Sequence, residues 1–234
     1  MTARRPLLIA VLAGLLAGAT SLLTACAGGP SATSAAAAST PAATAALPPI
    51  LFVHGNGDTA ALWTTTVWRF ESNGWPRDRL FAIDLPYPQA RDDDSKEQQG
   101  RSSTTEQRNQ LAAEIDRVLA ATGAPQLVLM GNSRGGYAIR NVLANVGGAS
   151  KKVSHVILGG TPNHGVWSLP NFRPTNEFNG AGPFLKALNA PKGADGQLLP
   201  EGSAGVETTP GPKWLTLRSD NNDKFAQPDG LWIG

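Results

Sequence analysis

Apolar residues in this chain come in short unbroken blocks. Ile50-Leu51-Phe52-Val53 follows two prolines, and 80–83, 126–130, 153–158 and 214–217 repeat the form. Blocks of this length are strand-sized, and their lack of polar alternation fits strands covered on both faces. Between the blocks, apolar positions recur every three or four residues. Leu111, Ile115, Val118 and Leu119 form one helical stripe. It opens with the capping-box sequence Ser103-Thr104-Thr105-Glu106 and closes at Gly123 and Pro125. Ile139, Val142, Leu143 and Val146 form another, with Gly147 as its stop. Thr59 to Phe70 reads as a third helix, weakened by Thr64-Thr65-Thr66. The alternation of strand and helix predicts an α/β fold: a mostly parallel central sheet with helices on both faces.

Two stretches break this rhythm. Residues 91–102 are a polar, charged loop. Residues 160–212 are rich in Gly, Pro and Asn and carry Trp167, Phe172, Phe178 and Phe184. A segment this long is expected to be a lid or cap-like insertion. Its aromatics either face a substrate or pack the insertion onto the domain.

The N-terminus follows other rules. Arg4 and Arg5 precede an apolar run from Leu7 to Leu23, the layout of a secretory signal over residues 1–25. A membrane-spanning helix is the alternative, but the run is short for one. Leu23-Thr24-Ala25-Cys26 resembles the bacterial lipobox, and Cys26 is the only cysteine. The resemblance implies lipidation at Cys26, a membrane anchor and a place in the bacterial cell envelope. Ala27, in place of Asp, implies sorting to the outer membrane. Residues 26–49 are nearly all Ala, Ser, Thr, Gly and Pro, the composition of a disordered tether. The folded domain is expected over 50–234.

Formal net charge is +2, and loss of Arg4 and Arg5 would bring it to 2 − 2 = 0. Without a basic cluster, nucleic acid is excluded as a partner. One cysteine leaves no internal disulfide. No His, Asp and Glu set shows metal-ligand spacing, so neither metal nor cofactor is implied.

The chemistry-bearing motif is Gly131-Asn132-Ser133-Arg134-Gly135, a G-x-S-x-G. It follows an apolar strand and precedes an amphipathic helix, the setting of a nucleophile elbow. Glycines two before and two after the serine leave room for the tight turn. The Ser133 hydroxyl then stands at a helix N-terminus, where amide N–H groups and the helix dipole favour a developing oxyanion. His54-Gly55-Asn56-Gly57 directly follows the first strand, about 75 residues upstream.

Together these two elements resemble the α/β-hydrolase superfamily and its bacterial lipase and esterase branch. The resemblance implies a serine carboxylic-ester hydrolase acting through an acyl-enzyme at Ser133. It implies an oxyanion hole made by the N–H groups of Asn56 and Arg134, with His54 shaping the turn. Thr161-Pro162-Asn163-His164-Gly165 is similar to a lipase element in altered order, which leaves His164 unassigned. The acid is expected after the strand at 214–217. Asp223 fits the family pattern better than Asp220, and a polar turn without catalytic acid is the other reading. The substrate is an ester: a triacylglycerol, a short ester or a polyester such as a polyhydroxyalkanoate. Perhydrolysis is a further possibility for the same fold.

A serine hydroxyl needs a general base. The superfamily order is nucleophile, acid, histidine. His54, His155 and His164 are the only histidines, and all precede Asp223. His155, within Ser154-His155-Val156, reads as a half-buried strand residue. A C-terminal continuation carrying the catalytic histidine, together with the last strand and helix, is therefore expected. The rival reading is a lipid-anchored binding module that kept the scaffold without the catalysis.

Overall fold

The computed structural model describes residues 47–166 and 173–218. The chain divides into two units, 1–44 and 45–234, and the described residues all belong to the second. The signal segment, Cys26, Trp167, Phe172, Asp220 and Asp223 lie outside the described residues.

Five strands form one sheet: β1 (Ile50–Val53), β2 (Leu80–Ala82), β5 (Leu127–Asn132), β6 (Val153–Gly159) and β7 (Lys213–Leu217). Their order is β2-β1-β5-β6-β7, and every neighbouring pair is parallel. A two-residue parallel pair, β3 (Gln89–Ala90) with β4 (Arg101–Ser102), brackets the polar loop. The helices are α1 (Thr64–Ser72), α2 (Thr104–Thr122), α3 (Arg134–Asn145) and α4 (Pro183–Leu188). The expected α/β class is the one observed.

β1 explains why its sequence shows no alternation. Leu51 and Val53 join a core with Leu111, Ile115 and Val118 of α2 and Ile139 and Val142 of α3. Ile50 and Phe52 face the other way, against Trp63 and Val67 at the start of α1. Both faces are covered, so every residue of the strand is buried. Each such side chain contributes about 1.5–3 kcal/mol to the fold.

Helix ends follow the sequence signals closely. Ser103 caps α2 through the Glu106 N–H, and the Glu106 carboxylate returns to the Ser103 N–H at 2.6 Å. Gly123 ends the helix with φ of 64°. The first helix is split: a 3-10 turn at Ala60–Trp63, capped by Thr59, leads into α1. Within the insertion, Pro183 starts α4, an element that no periodicity in the sequence announces. Phe178 and Phe184 pack on Tyr137 of α3, with ring centroids 5.6 and 5.9 Å away. For these two aromatics, packing the insertion onto the domain is the role observed.

His155 is exposed rather than half-buried. The register of β5 on β6 slips between Leu127 and Val128, so that Ser154 is an extra residue. Val156 and Leu158 then fill the core, and alternation turns His155 outward.

Candidate active site

Ser133 occupies the turn between β5 and α3 with φ of 51° and ψ of −122°. It is the only non-glycine residue with positive φ among the described residues. Such a conformation costs an L-residue about 1–3 kcal/mol and is retained where surroundings enforce it. Here the enforcement is visible. A Cβ at Gly135 would overlap the Val53 carbonyl and lie 2.7 Å from the His54 oxygen. One at Gly131 would lie 2.6 Å from Ile139 Cδ1. The glycines of the motif therefore let β5, β1 and α3 converge beneath the serine. The Ser133 N–H donates to the Gly159 carbonyl at 3.1 Å, fixing the turn to the end of β6.

The Ser133 side chain is half-buried and makes no capping bond to α3. Its neighbour is the turn after β1: a Cβ on Gly55 would lie 3.0 Å from Ser133 Cβ. As the first residue of α3, Arg134 has no intrahelical acceptor for its N–H. Asn56 is exposed, and its N–H has no acceptor among the described residues. Its Oδ1 accepts from the Ala90 N–H at 2.7 Å, and the Gly57 N–H donates to the Pro88 carbonyl at 3.1 Å. The structure thus brings together Ser133, Arg134 and the 54–57 turn.

His54 is fully buried. Its Nε2 accepts from the Leu85 N–H at 3.1 Å, so Nδ1 carries the proton and donates to the Gly55 carbonyl at 2.9 Å. Both nitrogens are occupied in shaping the turn. His155 lies four residues before Gly159, about 13 Å back along β6. His164 Nε2 pairs with Glu207 Oε1 at 2.9 Å. Glu207 in turn lies 3.7 Å from the guanidinium of Arg140, seven residues into α3. Among the described residues, no group of three His, Cys, Asp or Glu side chains could hold a metal ion.

A family model for the alpha/beta hydrolase fold matches residues 48–190, more than half of the chain. The chain belongs to this family. The β5–Ser133–α3 turn has a strand–turn–helix form. Solved structures similar to this chain include a lipase from Bacillus licheniformis in mature form. It is 27% identical, covers 53% of this chain and 44% of that one, and has a TM-score of 0.40. A monoacylglycerol lipase from Paleococcus ferrophilus is 17% identical, over 53% and 44% of the two chains, with a TM-score of 0.40. A Trichoderma reesei cutinase is 19% identical, over 80% and 65%, with a TM-score of 0.41. The chain spans less than half the length of the two lipases. Comparison with curated proteins finds no match.

Nothing in the local sequence singles out the side chain of Arg134. It is fully buried and forms an ion pair with Glu177, which is 1% exposed. Burial pushes the Glu177 carboxyl above the usual carboxylate range, and the bidentate Arg134 opposes that push. A charge at this position must find an acid. Which acid, 43 residues onward, is a matter of tertiary structure.

Proposed function

We propose that this α/β-hydrolase is a serine carboxylic-ester hydrolase of lipase or esterase type, acting through an acyl-enzyme at Ser133. The observation that carries the reading is the strained Ser133 backbone, which leaves the hydroxyl uncapped beside Gly55 at the start of α3. The hydroxyl attacks the ester carbonyl. The general base takes the hydroxyl proton, and the Asn56 and Arg134 N–H groups receive the oxyanion. Its collapse expels the alkoxide, which leaves as the alcohol with the proton the base returns, and the acyl group stays on Ser133. Water then attacks the acyl-enzyme and releases the acid. Asp223 orients the general base. His54 and His155 are engaged or distant, and His164 is paired with Glu207. The reading assigns the base to none of these three histidines. It also places the protein at the cell envelope, held by lipid on Cys26.

The test is labelling and turnover of the full-length protein. A fluorophosphonate probe should react with the wild type and not with Ser133→Ala. p-Nitrophenyl ester hydrolysis should fall by about three orders of magnitude or more in that variant. Wild-type protein that is folded yet neither labelled nor active would favour the non-catalytic binding module.

A further inference from the structure

All five N–H donors of the Arg134 guanidinium are used. Nε and Nη2 reach the two Glu177 oxygens at 2.5 and 2.7 Å. Nη2 also donates to the Ser102 carbonyl at 2.7 Å, and Nη1 to Ser102 Oγ at 2.9 Å. The remaining Nη1 proton goes to the Pro88 carbonyl at 3.0 Å. That same carbonyl accepts the Gly57 N–H, and two residues on, the Ala90 N–H holds the Asn56 side chain. The segment at 88–90 is therefore a brace between the two amides that would form the oxyanion hole. One amide lies on the turn after β1, the other on the elbow, and the Arg134 side chain ties the brace to the elbow.

We propose that Glu177 is a positioning residue for the oxyanion hole, holding the Arg134 guanidinium that in turn holds the Pro88 carbonyl. The inference rests on the Ser133 acyl-transfer reading. A buried guanidinium without its carboxylate is an uncompensated charge, and it relaxes toward water or other acceptors. The Pro88 carbonyl then loses one of its two donors, and the spacing of the Asn56 and Arg134 amides loosens. A displacement of about 1 Å in such donors is enough to cost a hundredfold in rate. Glu177 belongs to the insertion, so docking of the insertion and alignment of the donors become one event.

The experiment compares wild type, Glu177→Gln and Ser133→Ala in the full-length protein, using a p-nitrophenyl ester and the matching thionoester. Glu177→Gln should lower kcat by about 10- to 100-fold with KM within about threefold of wild type. The ester-to-thionoester rate ratio should fall as well, because a loosened hole discriminates oxygen from sulfur less. A mere loss of folded enzyme would lower both rates equally, and that outcome overturns the proposal. So does a kcat within twofold of wild type, provided Ser133→Ala is inactive. Wild-type turnover that survives in Ser133→Ala overturns the hydrolase reading instead, and the positioning role with it. If Glu177→Gln does not fold, the double variant Arg134→Met/Glu177→Leu decides, since removing both buried charges together is often neutral for stability. A low kcat in that variant supports the role, and a wild-type kcat overturns it.

Discussion

Ser133 shows what a single residue can store. Its φ of 51° is held by two strands and a helix meeting around Gly131 and Gly135, which lack the Cβ atoms that would collide. The strain has a measurable sign. Ser133→Gly and Ser133→Ala both remove the hydroxyl, but only glycine adopts this backbone freely. Ser133→Gly should therefore be the more stable of the two by about 1 kcal/mol, after the entropy glycine adds to the unfolded chain. Denaturant midpoints of the two variants check this. Equal midpoints would mean that the elbow carries no strain. The same closeness makes Gly55 part of the site: any side chain there would press on Ser133 Cβ and Asn132 Oδ1.

At the scale of elements, α2 and its capping box set the frame into which Arg134 reaches. Ser102, the residue just before the cap, supplies two acceptors to the guanidinium. Bonding from the Ser103 N–H, with further help from the Ser103 hydroxyl and Arg91, holds the Glu106 carboxyl below its usual range. A depressed folded pKa means that the unfolded chain binds the proton more readily. The stabilisation is then present above the unfolded value, near 4.5, and is lost as pH falls through the folded value. Glu106→Gln should be less stable than wild type at pH 7, with the gap closing below about pH 4.5. Thermal melts of both proteins from pH 7 to pH 3 measure it, and a gap that does not change with pH would refute the capping role. At β6, one extra residue at Ser154 turns His155 to the surface and takes it out of the core.

At the scale of the molecule, the insertion is fastened at several places, among them Arg140, which bonds the Leu188 carbonyl and Asn189 Oδ1, and Thr175, which bonds Asp93. Tyr137, its phenol pKa pushed up by burial, donates to the Pro162 carbonyl at 2.5 Å and packs at a tilt on Phe178 and edge-on against Phe184. Glu177 adds the ionic fastening described above. The protein's placement in the cell is a separate question at this scale. If Cys26 carries lipid, metabolic labelling with a palmitate analogue should mark the wild type, and Cys26→Ser should lose both the label and the membrane fraction. An unlabelled wild type would remove the anchor from the proposal.

Local rules along the chain determined much of this protein. The blocks at 50–53, 80–83, 126–130, 153–158 and 214–217 became strands. The central one at 50–53 is unbroken because it is buried on both faces, whereas at the sheet edge Leu215 and Leu217 stay exposed among the described residues. The capping box at Ser103 and the stop at Gly123 are likewise local, because the atoms that bond lie within one turn. The turn at Ser133 was legible because glycine spacing between a strand and a helix leaves few alternatives. What surrounds that turn was not. That Pro88 receives both Gly57 and Arg134, or that the partner of a buried arginine is Glu177, follows from where distant segments meet. The helix at Pro183–Leu188 is only six residues long, too short for periodicity to reveal, and it is held by tertiary packing of Leu185 and Leu188. Short-range bonding can be read along a chain. Charge pairing across 43 residues depends on the closed fold, because only burial makes one acid the obligatory partner of one base.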